Sequence, residues 1–213
     1  MKLIFYIISF LLISSVTHAH TYTGMIGFYD GLSHPVLGFD HFLAMISVGI
    51  ISAQIGGRAI WTIPSTFVLI MIVGGLIGIY AEMNQLLKSV ALNEIGQTFI
   101  LVDFLYLLIE IGIFVSVIVL GLAIAIEKKL PIGITMIFVG IFGFFHGSAH
   151  GLEMPWAANP FLFALGFATG TATLHIFGVI IGYFAIKTKL SMVILRMTGI
   201  CFAGIGIYSL INL

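Results

Sequence analysis

Charge is scarce in this chain. Asp, Glu, Lys and Arg together make up 8% of the 213 residues, acids and bases balance, and the formal net charge is zero. No basic block exists, which argues against a nucleic-acid partner. The single cysteine, Cys201, excludes a disulfide framework and any thiolate metal cage, and reads as a small buried apolar residue. No glycine loop followed by lysine is present to cradle phosphates, so no nucleotide-driven step is encoded. There is no low-complexity tract, linker or composition break that would separate two domains. What remains is hydrocarbon. At 61% hydrophobic and a mean hydropathy of +1.23, the chain lies well above the ~45–50% apolar share of soluble domains. It belongs to the helical class of integral membrane proteins, an all-α polytopic bundle.

Residues 1–19 read as a secretory signal: Lys2 supplies the positive start, Leu3 to Val16 the apolar core, and Thr17, His18 and Ala19 the small-residue exit. Cleavage after Ala19 makes His20 the new N-terminus and leaves one transmembrane domain, 20–213; an uncleaved first helix is the alternative. Hydropathy gives six spans: about His41 to Ile55 (with Pro35 as a candidate for its first turn), Arg58 to Ala81, Phe99 to Ile126, Pro131 to His150, Pro160 to Ile186 and Ser191 to Ile211. Glu82 to Gln97 is the one sizeable loop, amphipathic enough to be a surface helix. Charge tests this layout independently. With the mature N-terminus outside, the inner loops carry Arg58, Lys128, Lys129, Lys187 and Lys189, with Arg196 one turn into the last helix, and the outside has only Lys88. That is the positive-inside pattern.

Against this background two short stretches stand out, HPVLGFDH from His34 to His41 and FHGSAHGLE from Phe145 to Glu153. Both fall in the outer half of the layout. Polar groups near a bilayer are costly and mark ligand sites or pathways, and imidazole with carboxylate suits a divalent first-row transition metal. Pro35 disfavours helical geometry at His34, which places His34 at or before a helix start. His34 and His41 are seven apart and converge if the intervening turn is nearly helical. Asp40 either ligates directly or accepts the second ring N–H of a histidine and orients it. The plain alternative for this stretch is a helix cap with two interfacial histidines. His146 and His150 are four apart and share a helical face, with Glu153 where the helix ends before Pro155. Glu110 in the third span, His175 in the fifth, and Asp103 nearer the outer end of the third add isolated polar groups. A lone His175 reads first as a hydrogen-bonded packing residue, whereas a carboxylate such as Glu110 wants a cation, a histidine or a proton. Gly74, Gly75, Gly78, Gly166 and Gly170 read as close helix packing.

These residues resemble the HupE/UreJ family, over nearly the whole mature chain. The resemblance rests on His20 after the signal, GLSHPVLGFDHFLAMISVG from Gly31 to Gly49, and AQIGGRAIW from Ala53 to Trp61. It continues through IEIGIFVSVIVLG from Ile109 to Gly121, FHGSAHGLEMP from Phe145 to Pro155, and LHIFGVIIG from Leu174 to Gly182. The histidine-bearing blocks are the specific ones. The resemblance implies a bacterial inner-membrane permease for nickel or cobalt that supplies hydrogenase and urease maturation, with metallochaperones or maturation proteins as partners. It implies metal ligation by His20, His34, Asp40, His41, His146, His150 and Glu153, with Glu110 and His175 deeper on the path. Two departures bear on this: Ser148 stands where many relatives have a third histidine, and the Glu82 to Gln97 segment is longer than usual.

The expected function is therefore secondary transport, with the ion as cargo, no tightly bound cofactor and no enzymatic activity. Nitrogen and oxygen ligands suit a carrier that must release what it binds. Two rivals remain open. A haem-binding electron carrier would use paired histidines, and an intramembrane metalloenzyme would use the metal; the second motif lacks the glutamate of HExxH.

Overall fold

The computed structural model describes the backbone of residues 27–92, 95–127, 130–154 and 159–213, with side chains except those of 85–103. The expected signal peptide and His20 lie outside the described residues. Among the described residues the chain is helical throughout: α1 (Phe28–Leu37), α2 (Phe39–Ile55), α3 (Ala59–Leu92), α4 (Ile95–Ile126), α5 (Ile132–Leu152), α6 (Pro160–Ala185) and α7 (Lys189–Ile211). Boundaries follow local chemistry. Asn159 caps α6 by accepting from the backbone N–H groups of Phe161 and Leu162 at 3.0 and 3.2 Å, with Pro160 in the first turn. Thr188 caps α7 by accepting from the N–H of Ser191 at 3.1 Å.

Five helices carry stretches long and apolar enough to cross a membrane, from Ala59–Asn84 in α3 to Lys189–Ile211 in α7. The expected first span differs. It is a pair, α1 and α2, bent by 84° at Gly38. Pro35 lies inside α1, not at a helix start, and His34 is helical in its last turn. Pro35 forgoes the hydrogen bond back to the Gly31 carbonyl, a cost confined to one turn of this ten-residue helix. Successive contacts show how the pair runs: Phe28 and Leu32 abut Gly166 and Gly170, then Ile46 and Ile50 abut Gly178 and Gly182. Both pieces thus progress along α6 in one direction, as the two halves of one broken span.

The expected loop at Glu82 to Gln97 is mostly helix. α3 continues to Leu92 and α4 begins at Ile95, so α3 extends about 12 Å beyond its apolar stretch. Cys201 is exposed on α7, where lipid, not protein, is the neighbour the apolar surroundings imply.

Three glycine-sealed pairings organise the bundle: α3 with α5, α4 with α7, and α6 with α1 and α2. A methyl on Gly147 would overlap the Met71 carbonyl, and one on Gly166 the Phe28 carbonyl, so these backbones touch only because the side chains are absent. Outward-facing residues such as Leu69, Ile137 and Phe177 are 63%, 64% and 55% exposed, an apolar belt suited to lipid. One end of the bundle is basic. There Gln54 donates to the Ile124 carbonyl at 3.2 Å and Arg196 reaches the Ala125 carbonyl and Glu127, close to Lys187 and Lys189 in sequence. The histidine motifs occupy the other end, where α2 starts and α5 finishes.

Candidate metal centre

The bend at Gly38 turns the first motif over the second. α1 delivers His34 from its last turn, α2 delivers Asp40 and His41 from its first, and α5 delivers His146, His150 and Glu153 from its last turns. Six of the seven expected ligands therefore meet, the seventh being His20. The rings are crowded: centroids are 4.6 Å apart for His34 and His150, 4.4 Å for His41 and His150, and 4.9 Å for His41 and His146. His34 and His41 do converge, but through a sharp bend and not a continuous helical face.

At the rim, His34 Nε2 lies 3.4 Å from Glu153 Oε2. His34, His150 and Glu153 each offer a ligand atom within 4.8 Å of the other two. Burial pushes the Glu153 carboxyl up, but its hydrogen bond with His34 and the nearby His41 outweigh this and hold it below the usual carboxylate range. A carboxylate that stays ionised beside imidazoles is a ready anionic ligand.

Deeper in, the tautomers are set by what surrounds each ring. His41 Nδ1–H donates to Asp40 Oδ1 at 2.9 Å, and the same oxygen accepts from the His41 backbone N–H at 2.9 Å. Of the two roles open to Asp40, the geometry favours orienting His41. His146 Nδ1–H donates to the Phe142 carbonyl at 2.9 Å. A carbonyl can only accept, so the proton sits on Nδ1 and the Nε2 lone pair is free. His175, one layer further in, repeats the arrangement by donating from Nδ1 to the Met45 carbonyl at 2.8 Å.

In all three rings Nε2 is buried and has no hydrogen-bond partner among the described residues, and both nitrogens of His150 are in the same condition. An unmet buried polar group costs about 1–3 kcal/mol, and such groups are rare in native interiors. A fixed Nδ1–H with an open Nε2 is how ligating histidines are held. The donor set thus fits a divalent cation of the imidazole-preferring kind.

Other expected residues fall as follows. Glu110, half-buried on α4, is near enough to Asp40, His41 and Glu153 to interact electrostatically with each. Asp103 has its side chain outside the described part. Ser148 is buried with an unpartnered hydroxyl, and its backbone packs on Gly74 and Gly78 of α3. Aromatic walls were missed in the sequence. Phe167 lies 3.8 Å from His150 between ring centroids, Phe163 6.0 Å from His34, and Phe67 touches both His146 and His175. The spacing of Phe163 and Phe167, four apart on α6, is the signal that was available for two of them.

Comparison with known proteins concerns the chain as a whole. The family model described as "HupE / UreJ protein" matches residues 8–85 and 80–209, and the two matches overlap where the apolar stretch of α3 ends. Protein HupE of Rhizobium leguminosarum bv. viciae is 36% identical over 169 residues, covering 79% of this chain and 77% of that protein. No solved structure matches. On a family match that spans nearly the whole chain, and with a curated relative of this likeness, the protein belongs to the HupE/UreJ family.

Proposed function

We propose that this protein is a secondary transporter that takes up a divalent late first-row metal ion, Ni2+ or Co2+, across the bacterial inner membrane. The observation that carries the reading is the set of buried, unpartnered imidazole nitrogens on His41, His146, His150 and His175. The ion arrives from the extracytoplasmic side, where His34 and Glu153 form the rim, with His20 at the mature N-terminus as a first contact. It exchanges water for imidazole at His41, His146 and His150, while Asp40 holds His41 in its ligating tautomer. Glu110 supplies negative charge beside the cluster, and His175 continues the path inward.

Release is as important as capture. Among the described residues the cluster offers nitrogen and oxygen and no thiolate, so a late first-row ion exchanges instead of being retained. An inside-negative potential contributes about 2.3 kcal/mol per charge per 100 mV, enough to draw a dication inward without nucleotide hydrolysis. The family link to hydrogenase and urease accessory proteins makes metal delivery to enzyme maturation the cellular setting.

The test is a metal survey in liposomes containing the purified chain. Internal accumulation of Ni2+, Co2+, Zn2+ and Cu2+ under an inside-negative potential should favour Ni2+ or Co2+ and vanish with His41→Ala. Equal accumulation with and without the protein would remove the proposal.

A further inference from the structure

Phe67 on α3 is completely buried and is among the largest such side chains in the described structure. Its ring lies between two imidazoles from different helices, 5.4 Å from His146 of α5 and 5.1 Å from His175 of α6 between centroids. Each of those imidazoles has its Nδ1 proton tied to a carbonyl and its Nε2 without a partner among the described residues. One turn before His175, buried Thr171 donates its hydroxyl to the Met71 sulfur at 3.6 Å, and Met71 is one turn after Phe67. Two imidazoles thus flank this one phenyl ring, while the hydroxyl and thioether lie one turn toward the outer centre, where Met71 shares a cleft with His150.

The packing of α3 is lopsided. Gly143, Gly147 and Gly151 bring α5 against it, and α6 is sealed in the same way to α1 and α2. Between α3 and α6 lie two clefts instead, one of about 530 Å³ lined by His150, Met71 and Phe167, the other of about 590 Å³ lined by His175, Val68 and Ala172. Phe67 sits at the level that separates them.

We propose that Phe67 is the gate of the pathway, dividing the outer metal centre from a second station at His175. This rests on the reading of the chain as a metal permease. An apolar ring closes a path by excluding water, so a hydrated dication stops at His146. When the ring swings toward either cleft, the ion passes from the Nε2 of His146 to that of His175, and the ring face offers a cation–π contact on the way. The imidazole of the inner station favours late transition metals over Mg2+, giving the gate a selective partner.

Phe67→Leu keeps the site apolar but removes the flat ring, and His175→Gln keeps a donor for the Met45 carbonyl while replacing the imidazole. Both would be compared with the wild-type full chain in liposomes, with Co2+ absorption of the detergent-purified proteins reporting the outer centre. The gate predicts that Phe67→Leu passes Ni2+ several-fold faster at zero potential and begins to admit Mg2+. His175→Gln should lose most uptake with the Co2+ spectrum of the outer centre unchanged. A folded Phe67→Leu protein with intact Co2+ binding and unchanged or slower flux would overturn the gate; wild-type uptake by His175→Gln would overturn the inner station. In both cases wild-type transport leaves the permease reading standing. A wild-type chain that neither binds Co2+ nor passes Ni2+ would overturn that reading, and the gate with it.

Discussion

Asp40→Ala separates the ligand from the group that orients it. In the wild type one carboxylate oxygen accepts at 2.9 Å from both the ring Nδ1–H and the backbone N–H of His41. Removing the carboxylate leaves the imidazole free to rotate or change tautomer, and then Nε2 carries the proton half the time or more. Loss of such an orienting partner lowers metal affinity about 10–100-fold, which is about 1.4–2.8 kcal/mol. The backbone N–H of His41 also loses its acceptor, but in the first helical turn, where donors are commonly unmet, so the fold should survive. Titration of the purified chain with Co2+, followed by its visible absorption, measures the effect. Asp40→Ala should shift the midpoint by the stated factor with the spectrum unchanged in shape, and Asp40→Asn, which keeps an acceptor, should lose less. His41→Ala should lose more than either. Unchanged affinity in Asp40→Ala would refute the orienting role, and a changed spectral shape would make Asp40 a direct ligand.

Other outcomes follow from the same geometry. The Glu153 carboxyl is held below the ordinary carboxylate range, so it should stay ionised, and Co2+ binding through it intact, until more acid pH. In His34→Ala the hydrogen bond and the nearby His34 charge are gone and only His41 still opposes burial, so the acid limb of a Co2+ titration should move to higher pH. Gly147→Ala should destabilise the α3–α5 pair, since its methyl meets the Met71 carbonyl; overpacking costs about 1–3 kcal/mol, read as a lower Tm in detergent. Ser148→Ala removes an unpartnered buried hydroxyl and should leave Tm unchanged or raised, with Co2+ affinity unaffected unless the hydroxyl ligates. A periplasm-active reporter fused after Leu213 should be active, because α7 starts at the basic end and finishes at the histidine end.

Much of the bundle was legible because its punctuation is chemical. Pro131, Pro160 and the Gly56–Gly57–Arg58 turn bound the apolar runs, and those helix ends agree with the structure to within a few residues. The motif histidines were legible because ionisable groups have few reasons to cluster in hydrocarbon. The bend at Gly38 was not. Proline only disfavours helix at His34 without forbidding it, and the packing of α1 on Gly166 and Gly170 overrides that preference. The helical continuation to Leu92 was hidden because polarity marks the end of an apolar run and not the end of a helix. Phe67 was invisible as a site residue, since one phenylalanine in a membrane helix looks like any other until two imidazoles are found beside it.

X-ray absorption of the Ni2+-loaded, purified full chain reads the ion's neighbours directly. A first shell of nitrogen and oxygen with the outer-shell scattering of several imidazoles, diminished in His41→Ala and in His150→Ala, is the expected spectrum. A sulfur-dominated shell, or an imidazole signature that survives both substitutions, would contradict the assignment of the ion to this cluster.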